Sequence, residues 1–111
     1  MSNRIFKVQD LLHKEVAMLL HTSIQNPEIK SVTISGVRVS KDLKYSEIYF
    51  TTLQKNHKKL ELELNKASGF IRNQLSKSIH LKRLPSLKFI YDSTAENSQK
   101  IENLIKSLPK T

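Results

Sequence analysis

Hydrophobic side chains recur every three or four positions at the start of the chain and again through its middle. The first such pattern covers residues 3–24 and ends at Asn26-Pro27, because the residue before a proline is disfavoured in a helix. The second pattern covers residues 55–80. Its apolar side is continuous and consists of Leu60, Leu64, Ala67, Ile71, Leu75 and Ile79. The sequence therefore predicts two amphipathic helices in these ranges.

The stretch between the two helices changes to the alternating period of a β-hairpin. Alternation along residues 31–39 shifts by one position at Gly36, and such a shift at a lone glycine predicts a β-bulge. Residues 40–44 supply a turn. Residues 45–53 are rich in aromatic and β-branched side chains, which predicts the second strand.

Ala67-Ser68-Gly69 interrupts the second helical pattern near its middle. Glycine inside a helix costs about 1 kcal/mol relative to alanine. We therefore expect a kink or a short break at this junction.

The last part of the chain predicts a third strand and a closing helix. Leu84-Pro85 ends helical structure, and residues 86–91 favour a strand. The closing helix has Ile101, Leu104, Ile105 and Leu108 on its apolar side. The element order is α-β-β-α-(kink)-α-β-α, which predicts an α+β fold with helices packed on one face of a three-stranded sheet.

Composition narrows the class of protein. The 111 residues suit one domain over 1–111, with residues 109–111 as a frayed tail. The chain has no cysteine, which excludes a disulfide, a thiol nucleophile and a thiolate metal site. It shows neither a signal peptide nor an apolar run that spans a bilayer, so we expect a cytoplasmic location and no membrane partner.

Catalytic signatures are absent from the sequence. With only Gly36 and Gly69, the chain has no glycine-rich phosphate loop and no nucleophile elbow. Its four histidines lack metal-ligand spacing, and Ser107 with Lys110 lies at the C-terminal end, where fraying is expected. We therefore expect a protein that is not an enzyme and that has no metal, cofactor or small-molecule substrate.

Positive charge is concentrated in one part of the chain. Residues 54–91 contain nine basic and two acidic side chains, so this stretch carries seven of the nine net positive charges. Such a concentration is typical of a surface that binds a polyanion. On charge alone, a solvated helix surface explains the stretch equally well.

Two features favour a nucleic-acid surface. From Lys66 to Arg83 the basic stretch lacks the compensating acids at i,i+4 that normally accompany an exposed helix, and a helix that restarts at Gly69 offers free N–H groups to a phosphate. The predicted RNA-binding residues are Lys66, Ala67, Ser68, Gly69, Arg72, Lys77, Lys82, Arg83 and Lys88.

The aromatic residues do not suggest base-by-base reading. Phe50, Phe70 and Phe89 are interpreted as core residues, while Tyr45, Tyr49 and Tyr91 are candidates for exposure. The predicted strands lack the aromatic pattern of a ribonucleoprotein-motif sheet. Recognition of the RNA backbone and shape is therefore expected.

Three segments resemble bacterial ribosome-binding factor A, and the resemblance extends over about residues 2–108. Residues 32–50 (VTISGVRVSKDLKYSEIYF) are similar to the family's first hairpin. Residues 64–75 (LNKASGFIRNQL) are similar to its helix–kink–helix, and residues 84–93 (LPSLKFIYDS) to its last strand and the start of its final helix.

The resemblance implies a type II K-homology-like fold in which Ala67-Ser68-Gly69 replaces the usual Gly-x-x-Gly loop. It also implies binding to the free 30S small ribosomal subunit and its 16S rRNA. The implied role is late subunit maturation, including processing of the 16S rRNA 5′ end, and cold adaptation. Some family members carry a long basic C-terminal tail. Here the sequence after Leu108 comprises only residues 109–111, so a function that depends on such a tail is not expected.

Alternative partners remain open at this point. The basic surface also suits an acidic protein partner, which free rRNA would not displace. General DNA binding lacks an evident helix-turn-helix. A membrane surface fits least well, because the apolar side of the basic segment is needed for the core. The expected form is a monomer.

Overall fold

The computed structural model describes residues 2–22, 24–81 and 83–94. These residues form four helices and three strands. In chain order they are α1 Ser2–Thr22, α2 Pro27–Lys30, β1 Thr33–Val39, β2 Tyr45–Thr51, α3 His57–Lys66, α4 Ser68–Ser78 and β3 Ser86–Tyr91. The predicted closing helix, with Ile101, Leu104, Ile105 and Leu108, lies outside the described residues.

The sheet is mixed, with strand order β1-β2-β3. β1 and β2 form the predicted antiparallel hairpin, and β3 adds in parallel to β2. Parallel neighbours need a crossover, and α3 with α4 provides it.

The predicted β-bulge is confirmed. The register of β1 against β2 shifts between Ile34 and Gly36, which leaves Ser35 as the extra residue. The shift allows Ile34 and Val37, three positions apart, to lie on the same side of the sheet. Ser35 Oγ donates a hydrogen bond of 2.6 Å to Asp92 Oδ2. This bond is the main cause that lowers the pKa of the Asp92 carboxyl, and it ties the bulge to the residue after β3.

All described helices that contact the sheet pack on one of its faces. α1 lies against β1, and α3 and α4 lie against β3. The core between helices and sheet holds the completely buried side chains Leu12, Val16, Leu20, Ile48, Phe50, Leu64, Ile71, Leu75 and Phe89. The other side of the sheet, which no described helix covers, is called the open face below.

Helix α2 was not predicted. Asn26-Pro27 ends the first helical pattern, as expected, but it also starts a new turn of helix. Asn26 Oδ1 accepts a hydrogen bond of 2.9 Å from the amide of Glu28, and Pro27 occupies the first helical position. The capping pattern was therefore visible in the sequence.

Side chains from the helices satisfy backbone groups of both edge strands. On β1, Gln9 Oε1 accepts from the amide of Val39 and His13 Nε2 donates to the carbonyl of Ile34, both at 3.0 Å. On β3, Asn65 brackets the backbone of Phe89: its Nδ2 donates to the carbonyl at 2.9 Å and its Oδ1 accepts from the amide at 2.8 Å. These contacts satisfy two backbone groups on each edge strand and so make pairing with another chain less favourable.

Candidate nucleic-acid interface

The predicted break in the second helix is confirmed and lies at Ala67, between α3 and α4. Ser68 Oγ donates to the carbonyl of Asn65 at 2.8 Å. In a continuous helix this carbonyl would instead accept from the amide of Gly69. No side chain caps α4. Within the described residues, the amides of Ser68, Gly69 and Phe70 have no acceptor. Three N–H groups therefore point out of a helix N-terminus, an arrangement that suits an anion.

Gly69 leaves this N-terminus open. Its φ is not positive, so the backbone conformation does not require glycine. A Cβ added at this position would meet nothing within 4 Å. Neither packing nor conformation explains the glycine, and its visible effect is to keep the surface above the free amides clear.

One exposed stripe runs along both helices and across the break. Its members are spaced three or four residues apart, which places them on one side of α3 and α4. All of them are exposed, and they comprise three lysines, two apolar side chains and one asparagine. The stripe, called the helix stripe below, consists of Lys59, Leu62, Lys66, Phe70, Asn73 and Lys77.

The assignment of Phe70 to the core was wrong. The Phe70 side chain is 49% exposed, whereas Phe50 and Phe89 are buried as predicted. Ile71 takes the core position next to Phe70, since the buried positions of α4 are Ile71 and Leu75. Helical spacing from Lys66 and Lys77 would have placed Phe70 in the stripe, together with Lys59 and Leu62, which the sequence reasoning did not select.

Arg72, predicted to contact phosphate, lies beside the stripe and faces the segment that leads into β3. Its Nη2 donates to the carbonyl of Leu84 at 2.6 Å, and its Nε donates to the carbonyl of Pro85 at 3.2 Å. Arg72 therefore fastens α4 to the start of β3 while its side chain remains exposed.

Replacing Arg72 by lysine is expected to lower the free energy of unfolding by about 1 kcal/mol. Lysine keeps the positive charge but lacks the planar fork that reaches both carbonyl oxygens. Chemical denaturation monitored by circular dichroism measures the change. Lys77→Arg, an exchange of the same two residue types on the same helix, is the control and should leave stability unchanged. Equal stabilities of the Arg72→Lys variant and the unaltered protein would contradict this role.

The remaining predicted residues are not all brought together. Arg83 lies near the β1–β2 turn, where it lines a hollow with Arg4 and Lys41. Lys88 projects from β3 on the open face, because its position alternates with the buried Leu87 and Phe89. Lys82 lies outside the described residues. Lys66, Ser68, Gly69 and Lys77 surround or follow the helix break, with Ala67 at the break itself.

Acidic side chains of the described residues do not neutralise the basic side chains of this surface. Among the described residues, no lysine or arginine forms an ion pair with a carboxylate. The same residues contain no cluster of histidine and acidic side chains that could hold a metal ion. They also contain no helix with the length and apolarity needed to cross a membrane.

Comparison with known proteins identifies one family. A family model described as ribosome-binding factor A matches residues 4–105. Ribosome-binding factor A of Vesicomyosocius okutanii is 37% identical over 107 residues, which cover 96% of this chain and 94% of that protein.

Solved structures of the same family share the fold. The crystal structure of ribosome-binding factor A from Thermus thermophilus has a TM-score of 0.70 at 21% identity, and the match covers 78% of this chain and 94% of that one. A homology model of the Thermus thermophilus protein, fitted into the cryo-EM map of its complex with 30S, has a TM-score of 0.67 at 21% identity, and the match covers 78% of this chain and 92% of that one. The predicted α+β, type II K-homology-like fold is confirmed.

Proposed function

Because the chain belongs to the ribosome-binding factor A family, we propose that it binds the free 30S small ribosomal subunit through 16S rRNA. The Thermus thermophilus relative that is described in a 30S complex supports this partner. The proposed role is assistance in late maturation of the subunit, including processing of the 16S rRNA 5′ end. The protein acts as a cytoplasmic monomer, without catalysis and without a cofactor.

The observation that carries the proposal is the helix break at Ala67. The free amides belong to Ser68, Gly69 and Phe70, at the positive end of the α4 dipole. Lys66, two residues before Ser68, is the last residue of α3. A phosphate group satisfies all of these groups at once. Phosphate contacts of this kind fix position on RNA without reading base sequence.

The helix stripe extends this anchor. Lys59 and Lys77 lie on either side of the break and provide further charges for a polynucleotide backbone. Leu62 is 63% exposed and Phe70 is 49% exposed. An exposed aromatic ring between lysines suits an unstacked base, as in single-stranded regions of RNA. We therefore place the rRNA contact along this stripe.

Sedimentation of a cell extract through a sucrose gradient tests the partner. The protein is expected with free 30S subunits and not with complete ribosomes. Added 16S rRNA fragments should then displace it from the subunit. If the fragments fail to displace it and an acidic ribosomal protein binds it instead, the basic surface docks a protein and the proposal is wrong.

Gly69→Ala is expected to change stability and binding in opposite directions. Replacing glycine by alanine at a compatible position stabilises a protein by about 0.4–1 kcal/mol, and the added methyl group meets no neighbour here, so the free energy of unfolding should rise. The added methyl group lies where a phosphate must approach the free amides, so affinity for 30S subunits should fall several-fold. Thermal denaturation and filter binding measure the two effects.

Ser76→Ala provides the matched control for Gly69→Ala, because Ser76 is also exposed on α4 but lies away from the break. Its affinity for 30S subunits should not change. If the Gly69→Ala variant is more stable but binds 30S subunits as tightly as the unaltered protein, the break is not part of the interface.

A further inference from the structure

A row of charged side chains crosses the open face of the sheet, and the helix stripe does not account for it. The strand register pairs Arg38 with Glu47 across β1 and β2, and Glu47 with Lys88 across β2 and β3. Glu47 and Lys88 lie between buried neighbours, and Arg38 lies between the partly buried Val37 and the buried Val39, so all three side chains point away from the helices. Two cations thus flank a single carboxylate.

The Glu47 carboxylate is engaged by a neighbouring tyrosine rather than by these cations. Tyr49 donates its hydroxyl to Glu47 Oε1 at 2.9 Å. This hydrogen bond, more than burial, raises the pKa of the Tyr49 phenol. Within the described part of the chain, neither Arg38 nor Lys88 has an ion-pair partner. Both keep their N–H donors available for an external anion.

The charged row leads into a groove at the end of the sheet next to the β1–β2 turn. Its lining includes Arg38, Lys41, Tyr45, Glu47, Ser86 and Lys88. The second carboxylate of this region, Asp42, is bound within the turn: its Oδ1 accepts from Ser40 Oγ at 2.7 Å and from the amide of Lys44 at 3.1 Å. The groove therefore presents three cations and one carboxylate, a net positive charge, around one exposed aromatic ring.

Tyr45 supplies this ring. Its side chain is 64% exposed, and its backbone is held in place by Ser40, whose Oγ accepts from the Tyr45 amide and whose amide donates to the Tyr45 carbonyl. The ring makes no hydrogen bond or ring contact with other described residues. A fixed backbone beneath a free ring, with cations beside it, matches the way in which proteins bind single-stranded nucleic acids by stacking and charge.

We propose that this groove binds a second, single-stranded segment of RNA. Its phosphates contact Arg38, Lys41 and Lys88, and one of its bases stacks on Tyr45. A duplex would keep its bases stacked inside, so no base could stack on Tyr45. An acidic peptide would contact the cations but would have no use for the Tyr45 ring. A single strand uses both. The inference rests on the proposed function, since both assign RNA as the ligand. It uses the opposite side of the sheet, so one molecule holds two RNA segments at once.

The test measures fluorescence anisotropy of a fluorescein-labelled 12-nucleotide oligouridylate added to the full chain. The background variant Lys66→Gln with Lys77→Gln weakens the helix stripe, so the remaining binding reports the groove. In this background Tyr45→Ala should weaken binding by about fivefold or more, and Tyr45→Phe should not. Arg38→Gln with Lys88→Gln should lower the slope of log K against log salt by about 1.4.

The outcomes separate this inference from the proposed function. Loss of all binding in the Lys66→Gln, Lys77→Gln background, together with no effect of the Tyr45, Arg38 and Lys88 substitutions in the otherwise unaltered chain, would overturn the groove and leave the helix stripe standing. If the groove substitutions abolish binding and those at Lys66 and Lys77 have no effect, the groove is supported and the helix stripe is not an RNA site. If polyglutamate of equal charge competes as well as the oligonucleotide and Tyr45→Ala has no effect, the groove is a surface for acidic peptides and the inference is wrong.

Discussion

Replacing Lys66 and Lys77 together by glutamine is expected to weaken binding to free 30S subunits by about thirtyfold. Each lost lysine–phosphate contact removes about 1 kcal/mol, and 1.4 kcal/mol corresponds to a factor of ten. The slope of log K against log salt should fall by about 1.4, since each phosphate contact on a single strand contributes about 0.7. Filter binding over a range of salt concentrations measures both quantities.

Lys7→Gln with Lys14→Gln is the matched control for this pair. Both residues are exposed lysines on α1, outside the helix stripe, so the change in net charge is identical. The control should shift affinity slightly and leave the slope nearly unchanged. If both pairs reduce affinity equally, the protein binds by net charge alone and the stripe is not the site.

The largest effect on stability is expected at Asn65. Its side chain donates to the carbonyls of Glu61 and Phe89 and accepts from the amide of Phe89. Asn65→Ala would leave two backbone groups of a fully buried residue without partners, each at a cost of about 1–3 kcal/mol. We expect the free energy of unfolding to fall by about 3 kcal/mol in denaturant titration.

Asn73→Ala makes the same substitution on the exposed side of the following helix. The Asn73 side chain forms no hydrogen bond with described residues, and alanine is the better helix former. This control should leave stability unchanged or slightly raised. If Asn65→Ala lowers the free energy of unfolding no more than Asn73→Ala does, the contact between α3 and β3 contributes little to stability.

The sequence predicted the local structure well because its signals lie within each element. The proline after Asn26, the phase shift at Gly36 and the glycine at the helix junction each act over a few residues. The order of the strands was not predictable in this way. The parallel pairing of β3 with β2 depends on how the crossover through α3 and α4 packs, and no short pattern encodes that packing.

The candidate site was predictable only in part, because a residue type does not reveal its partner. Arg72 has the charge of a phosphate contact, yet it binds two backbone carbonyls that are 12 and 13 residues away. Lys88 belongs to the basic stretch of sequence but projects from the opposite side of the sheet. Phe70 was placed in the core on hydrophobicity, although its helical position aligns with Lys66 and Lys77.

The central claim is that rRNA lies along the helix stripe and over the break at Ala67. Ultraviolet crosslinking of the bound protein on free 30S subunits, followed by mass spectrometry of peptides that carry nucleotides, tests it most directly. We predict nucleotide adducts on peptides from residues 59–77, with Phe70 as a principal position. Adducts confined to α1, or crosslinks to ribosomal proteins without any to 16S rRNA, would contradict it.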